Sequence, residues 1–150
     1  MNRKIGMFAG IGILALVAGA QAGENLRLNS HLDYSSDSQD GPLITGDHMN
    51  EGAVPGKPNY VIIYGEGCFN SKRQARRTVS LYEKYKDRVN FVVVDLDQKR
   101  SPTQQQLVKQ YYQGYIPHVL VLDKSGKAVY NSSGEVDESS LSSTLDRALE

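Results

Sequence analysis

Three short apolar runs, separated by stretches with helical periodicity, constrain the fold of this chain more than any other feature. The first, Asn59–Tyr64 (NYVIIY), is β-branched and aromatic, and the second, Val89–Leu96 (VNFVVVDL), is similar in character. Runs of this kind suit central strands that are buried on both faces. The third run, His118–Leu122, is followed by the turn Asp123–Gly126 and a returning strand, which indicates a hairpin.

Three amphipathic helices are predicted around these strands. The first covers Ser71–Lys86, the second begins at Ser101 with Pro102 in its first turn, and the third begins at Asp137. The order is β-α-β-α-β-β-α. Strands separated by helices usually pair in parallel through right-handed crossovers, so we expect parallel pairing with an antiparallel hairpin at one edge. The predicted class is α/β, a central mixed β-sheet flanked by helices on both faces.

The N-terminus has the pattern of a signal peptide over residues 1–22. Arg3 and Lys4 precede an apolar run of about 16 residues, Ile5–Ala20. The sequence Ala20-Gln21-Ala22 then predicts cleavage after Ala22. The alternative is an uncleaved N-terminal anchor, although a spanning helix usually needs about 20 residues. In both cases the positive residues before the run predict that the rest of the chain is exported, to a periplasmic or extracellular location.

Residues 23–58 are polar and rich in Ser, Asp, Gly and Pro. Such a segment buries little apolar surface, so we interpret it as a flexible polar linker that precedes a domain at 59–150. A weaker alternative is that Gly41–Val54 adds a short strand or turn to the edge of that domain.

Charge and cysteine content exclude several classes of function. The 150-residue chain has 17 basic and 17 acidic residues, and loss of Arg3 and Lys4 would leave 17 − 2 = 15 basic residues. This balance indicates neither a nucleic-acid partner nor electrostatic attachment to a membrane once the signal peptide is removed. The single cysteine, Cys68, excludes an internal disulfide.

The element order and several motifs resemble the thioredoxin family over about 90 residues. Tyr64–Lys72 (YGEGCFNSK) is similar to the strand-to-helix turn that carries Cys-x-x-Cys followed by Lys. The run Val92–Asp97 resembles the strand that follows, and Tyr115-Ile116-Pro117 resembles the loop that holds the family's cis-proline. The resemblance implies a thioredoxin-like fold with Cys68 in the active site and Pro117 cis.

The chain departs from the family pattern at three positions of the site. Ser71 stands in place of the second cysteine, Gly67 in place of a Trp, and Ile62 in place of a buried acid. Ser71 cannot resolve a mixed disulfide, although its hydroxyl can donate a hydrogen bond to a Cys68 thiolate. The loss of both the second cysteine and the acid favours a protein without a dithiol cycle. Gly67 should leave the site open to water.

Cys68 is the candidate nucleophile. Its predicted place at a helix N-terminus favours an anion, and nearby cations should also favour the thiolate that attacks disulfides. The basic residues that follow within three turns are Lys72, Arg73, Arg76 and Arg77. The opposing interpretation is a retained but idle cysteine, with these charges on a solvated helix face.

The resemblance also assigns substrate-binding residues. Ile116 would present its backbone to an extended peptide beside Cys68, and Pro117 would shape that loop. His118 together with Cys68 could ligate a metal, but copper-handling proteins of this fold need two thiolates. A strand histidine facing the sheet or a helix is the preferred interpretation, and we expect no metal and no cofactor.

The sequence therefore predicts an exported thioredoxin-like protein with a single active-site cysteine. If it is an enzyme, it is a monothiol thiol-disulfide oxidoreductase or isomerase-like protein. Its catalytic residues are Cys68 and Ser71, and its partners are client proteins or small-molecule thiols and disulfides. The alternative is a non-catalytic module that binds a peptide or protein in the groove beside Pro117.

Overall fold

A central four-stranded sheet organises the computed structural model, which describes residues 22–39 and 41–150. The elements, in chain order, are β1 (Glu24–Leu28), β2 (Ile44–Asp47), β3 (Asn59–Tyr64), α1 (Phe69–Tyr85), β4 (Asn90–Asp95), α2 (Pro102–Tyr111), β5 (His118–Leu122), β6 (Ala128–Ser133) and α3 (Glu138–Ala148). The central sheet has the strand order β4-β3-β5-β6, and β1 and β2 form a separate pair. The structure is thus α/β, as the sequence predicts.

The directions of the strands differ from the expectation at one place. Strands β3 and β4 are parallel, as expected, but β5 is antiparallel to β3, with Ile63 opposite His118. After α2 the chain re-enters the sheet at the edge where β3 ends, so β5 runs in the opposite direction to β3. The end of β3 and the start of β5 therefore meet at the same edge of the sheet, which brings Pro117 close to the turn that follows β3.

The apolar side chains of the sheet alternate between two cores. Tyr60, Ile62 and Tyr64 point to the face covered by α1 and α3. Val61 and Ile63 point to the opposite face, which is covered by α2. Both predicted apolar strands are confirmed, because β3 lies in the interior of the sheet and β4, although at its edge, is also buried along its whole length.

Residues 23–58 are not a linker outside the domain, and this expectation is wrong. The segment contains β1 and β2, which pair antiparallel, and it packs on the core of the α1 face. Leu26, Leu43 and Ile44 are at most 2% exposed. The alternative that Gly41–Val54 adds a strand is closer to the structure, because β2 lies in that range. The apolar residues are few and widely spaced, so their average composition gave no sign that they converge.

Buried hydrogen bonds also fasten this segment to the sheet. The Asn90 side chain donates a hydrogen bond to the Gly52 carbonyl at 3.3 Å, and in the uncleaved chain it also accepts one from the backbone N–H of Ala22 at 2.8 Å. The Tyr64 hydroxyl accepts a hydrogen bond from the Leu43 N–H at 3.0 Å. Asn90 is fully buried, and its partners come from residues far apart in the sequence. The N-terminal segment is therefore part of the same folded unit.

The predicted signal peptide, residues 1–22, lies outside the described residues except for Ala22, which is 2% exposed. Across residues 22–39 and 41–150, every helix is too short or too polar to cross a bilayer.

Candidate functional site

Cys68 ends the turn between β3 and α1 and is the N-cap residue of the helix. Its backbone is extended, with φ −97° and ψ 118°, and its carbonyl accepts the first helical hydrogen bond, from the Lys72 N–H at 3.0 Å. The thiol makes no capping hydrogen bond and is half-buried. The end of a buried strand thus fixes Cys68 at the positive end of a 17-residue helix.

The loop before β5 lies against this turn. The Ile116–Pro117 peptide bond is cis, Pro117 is buried and Ile116 is half-buried. The Ile116 side chain packs on Gly65, where a Cβ atom would lie 2.5 Å from Ile116 Cδ1. The absence of a side chain at Gly65 therefore permits the close approach of this loop to the turn that carries Cys68.

Ser71 lies on α1 but does not interact as expected. It is fully buried, and its Oγ has no hydrogen-bond partner within residues 22–39 and 41–150. The expected hydrogen bond to the Cys68 sulfur is not made in this structure. Buried hydroxyls normally have hydrogen-bond partners. The Ser71 hydroxyl therefore adds no hydrogen bond to the described structure around it.

The cations near Cys68 are mostly engaged elsewhere. The Lys72 ammonium is fully buried and donates to three backbone carbonyls in the range 33–38. Arg73 and Arg77 both pair with Glu135, on the loop before α3. Arg76 is exposed on the helix surface. These contacts hold other segments in place, while the Arg73 guanidinium lies 4.9 Å from the centre of the Phe69 ring, one residue after Cys68.

Residues 33–39, which we call the strap, cover the start of α1. The Lys72 ammonium lies 2.7 Å from the carbonyls of Asp33 and Ser36, and 2.8 Å from that of Ser38. Asp37 Oδ1 accepts a hydrogen bond from the Phe69 N–H at 2.8 Å. These contacts join the strap to the first two turns of the helix.

The strap also occupies the space beside Gly67. A Cβ atom at Gly67 would lie 3.2 Å from the Gln39 Cβ. The strap thus lies against the position where the family has a larger side chain, while Gly67 and Cys68 themselves are half-buried. Sequence reasoning missed Asp37 and Gln39, since a Ser- and Asp-rich stretch has the composition of a linker.

Two buried carboxyl groups lie at the same edge of the sheet, below the turn. Glu66 is 6% exposed and Asp95 is 9% exposed. Burial, together with the neighbouring Glu66 carboxyl, raises the pKa of Asp95 to about 7. Ile62, at the position of the family's acid, is fully buried in the apolar core of the α1 face. The buried acidic groups of this site are therefore Glu66 and Asp95, whereas the family pattern implies an acid at position 62.

His118 belongs to the sheet. It is fully buried, with Nδ1 2.9 Å from Ser133 Oγ and Nε2 2.6 Å from Asn131 Oδ1. Both ring nitrogens thus have partners on β6. In the described part of the chain, no three His, Cys, Asp or Glu side chains are grouped to hold a metal ion.

Comparison with known proteins places these features in context. The chain matches no protein-family model. It is 28% identical over 136 residues to the rice protein named thioredoxin-like protein HCF164, chloroplastic, a match that covers 91% of this chain and 47% of the relative. It is 32% identical over 81 residues to the Arabidopsis thaliana protein of the same name, covering 54% of this chain and 30% of the relative. The chain spans less than half the length of either relative.

Solved thioredoxin structures share the fold. Thioredoxin-2 of the malaria parasite matches with a TM-score of 0.54 and 15% identity, over 65% of this chain and 89% of that one. The exposed lipoprotein thioredoxin of Streptococcus pneumoniae matches with a TM-score of 0.51 and 16% identity, over 61% and 85%. Fasciola hepatica thioredoxin matches with a TM-score of 0.50 and 23% identity, over 63% and 83%. At these identities the likeness concerns the fold alone.

Proposed function

Because the chain is similar in sequence to thioredoxin-like proteins and has the thioredoxin fold, we propose that it is a monothiol thiol-disulfide exchange protein whose nucleophile is Cys68. The observation that carries this proposal is the position of Cys68. Its thiol stands at the N-cap of α1, without a capping hydrogen bond of its own, beside the cis Ile116–Pro117 loop. A thiol at a helix N-terminus is stabilised as the thiolate, which is the attacking species.

The proposed step exchanges one disulfide for another. The Cys68 thiolate attacks one sulfur of a client disulfide, a new sulfur–sulfur bond forms, and the client's other sulfur leaves as a thiolate. An external thiol then attacks the mixed disulfide, which frees Cys68. The external thiol is needed because Ser71 has no redox chemistry and the chain has no other cysteine. Ile116 and Pro117 would bind the client backbone during the attack.

The test uses oxidised glutathione as the disulfide probe and the purified protein. We expect a glutathione adduct at Cys68, detected by intact-mass spectrometry and reversed by reduced glutathione. Cys68→Ser is the matched control, because it changes a single atom and should form no adduct. A wild-type protein that forms no adduct, under conditions in which free cysteine does, would overturn the proposal.

The alternative of a non-catalytic binding module has two observations in its favour. The strap lies on the turn at Gly67, and the cations near Cys68 are engaged in other contacts. Both features reduce the support for an activated thiol. In a binding module, Cys68→Ser would retain the partners that the wild-type protein retains in a pull-down without reductant, after free thiols have been alkylated. An exchange protein would lose its covalent partners on the same change.

We also propose that the protein acts outside the cytoplasm, after cleavage behind Ala22. The charged and apolar pattern of residues 1–22 supports export. N-terminal sequencing of the protein from the exported fraction should give Gly23 as the first residue. Material that begins at Met1 would favour the anchor instead.

A further inference from the structure

The strap brings a carboxylate to the end of the helix that carries the proposed nucleophile. Asp37 Oδ1 lies 2.8 Å from the Phe69 nitrogen, and Phe69 directly follows Cys68. The first N–H groups of a helix have no partner within the helix, and they are the groups that stabilise a thiolate at this position. In this protein one of them is already bonded to an anion.

We propose that Asp37 is a positioning residue that restrains the reactivity of Cys68. The Asp37 carboxylate accepts a hydrogen bond from the Phe69 N–H, the first backbone N–H after the thiol, and so places a negative charge beside Cys68. A like charge disfavours the ionised form of a neighbouring acid. The restraint acts through the helix terminus, so Asp37 itself needs no contact with the client. This inference rests on the proposed function, because it concerns the thiolate of Cys68.

Contacts on both sides of Asp37 hold the strap against α1, so the Asp37 carboxylate has a defined position at the helix terminus. The Lys72 ammonium makes three contacts of 2.7–2.8 Å to strap carbonyls, and these fix the segment on both sides of Asp37. Gln39 packs at Gly67, on the other side of the turn. Asp37 therefore reaches the helix terminus from a segment anchored at both of its ends.

Within residues 22–39 and 41–150, Asp37 makes no ion pair of its own, although the Lys72 ammonium lies 2.7–2.8 Å from the carbonyls of Ser36 and Ser38 on either side of it. The Lys72 ammonium is directed at carbonyls, and Arg73 pairs with Glu135. The ionisable groups on the segments around this end of α1 are Asp33 on the strap, Glu66 and Cys68 on the turn, Lys72 and Arg73 on α1, and Glu135 before α3.

The experiment measures the rate of Cys68 alkylation by iodoacetamide as a function of pH. Iodoacetamide is uncharged, so the rate of its reaction follows the fraction of Cys68 present as thiolate and is little affected by the charge of the site. Asp37→Asn keeps the size of the side chain and removes its charge. We expect the midpoint of the rate profile to move to lower pH by about half a unit, which is roughly a threefold faster reaction below both midpoints.

Two further variants separate charge from structure. Asp37→Glu retains the charge and should keep the wild-type midpoint. Asp87→Asn removes the same charge just beyond the C-terminal end of α1, about 24 Å from Phe69 for a helix rise of 16 residues, and should also leave the midpoint unchanged. Thermal unfolding followed by circular dichroism verifies that each variant is folded, as expected for exposed positions.

The outcomes distinguish this inference from the proposed function. An Asp37→Asn profile that coincides with the wild-type profile, or moves to higher pH, would overturn the role of Asp37. If Cys68 still forms its glutathione adduct in that case, the proposed function stands. A wild-type protein that forms no adduct overturns the proposed function, whatever profile Asp37→Asn gives.

Discussion

Position 71 is where a single atom separates this site from a dithiol site. Ser71 lies three residues after Cys68, is fully buried, and has an Oγ without a hydrogen-bond partner in the described part of the chain. Replacing that oxygen by sulfur therefore breaks no hydrogen bond. The environment at position 71 is compatible with a thiol.

We expect Ser71→Cys to gain the ability to reduce insulin disulfides with a dithiol donor, whereas the wild-type protein should not turn over. The gain should be partial, because Ile62 supplies no acid at the position where the family places one. Turbidity of the insulin reaction measures the rate, and Ser71→Ala is the control that changes the same side chain without adding a thiol. Strong turnover by the wild-type protein would contradict this prediction.

At the scale of elements, the pair β1–β2 is joined to the domain by a few apolar side chains. Leu43, just before β2, is fully buried in the core shared with α1. Truncation of such a side chain removes apolar contacts and leaves a cavity.

We therefore expect Leu43→Ala to lower the free energy of unfolding by about 2–5 kcal/mol, measured by urea denaturation. Leu28→Ala, on the half-buried end of β1, should cost less. Limited proteolysis of the wild-type protein should leave a resistant fragment that retains both strands. A resistant fragment that begins near Pro58, with no effect of Leu43→Ala, would show that the segment does not stabilise the domain.

The strap depends on one side chain of the neighbouring helix. Lys72→Met keeps the apolar stem and removes the ammonium, so three carbonyls lose their common donor. We expect a loss of about 1–3 kcal/mol in the free energy of unfolding and faster proteolysis within residues 33–39. Arg76→Met is the matched control on the exposed face of the same helix and should change the stability by less than about 0.5 kcal/mol. Equal proteolysis of both variants would mean that Lys72 does not hold the strap.

At the scale of the whole molecule, the buried pair Glu66 and Asp95 makes stability depend on pH. The pKa of Asp95 is raised to about 7, chiefly by burial, from an ordinary value of 3.8. The folded state therefore binds more protons than the unfolded state between these two values. Stability from this group is fully present below about pH 4 and is lost as the pH rises through about 7, with a slope of at most about 1.4 kcal/mol per pH unit.

Asp95→Asn should remove this slope. Urea denaturation at intervals between about pH 4 and pH 8 measures it for both proteins. Asp123→Asn is the control, because it removes a carboxyl group whose pKa is lowered instead of raised. Hydrogen bonds from Ser125 lower the pKa of Asp123, so this group titrates below the pH range of the experiment. Parallel curves for the wild-type protein and Asp95→Asn would show that Asp95 titrates as an ordinary carboxyl group.

The sequence by itself determined the elements that local patterns encode. The run Asn59–Tyr64 is a fully buried strand, and the side chains of Ser101 and Asp137 cap α2 and α3 as predicted. These features depend on residues within a few positions of one another, so propensity, periodicity and capping chemistry are sufficient to predict them. The location of Cys68 at a helix start follows from the same local information.

Only the tertiary structure decided the surroundings of Cys68. The contacts of Lys72 and Phe69 with the strap join residues more than 30 positions apart. Lys72 bonds to backbone carbonyls, which every residue carries, and the Phe69 N–H donates to the Asp37 carboxylate. The antiparallel direction of β5 depends in the same way on where the loop before it returns to the sheet. No local pattern encodes such pairings, because their free energy comes from bringing distant polar groups together as the core forms. The sequence thus determined which residue carries the thiol, and the tertiary structure decided which charges and segments lie beside it.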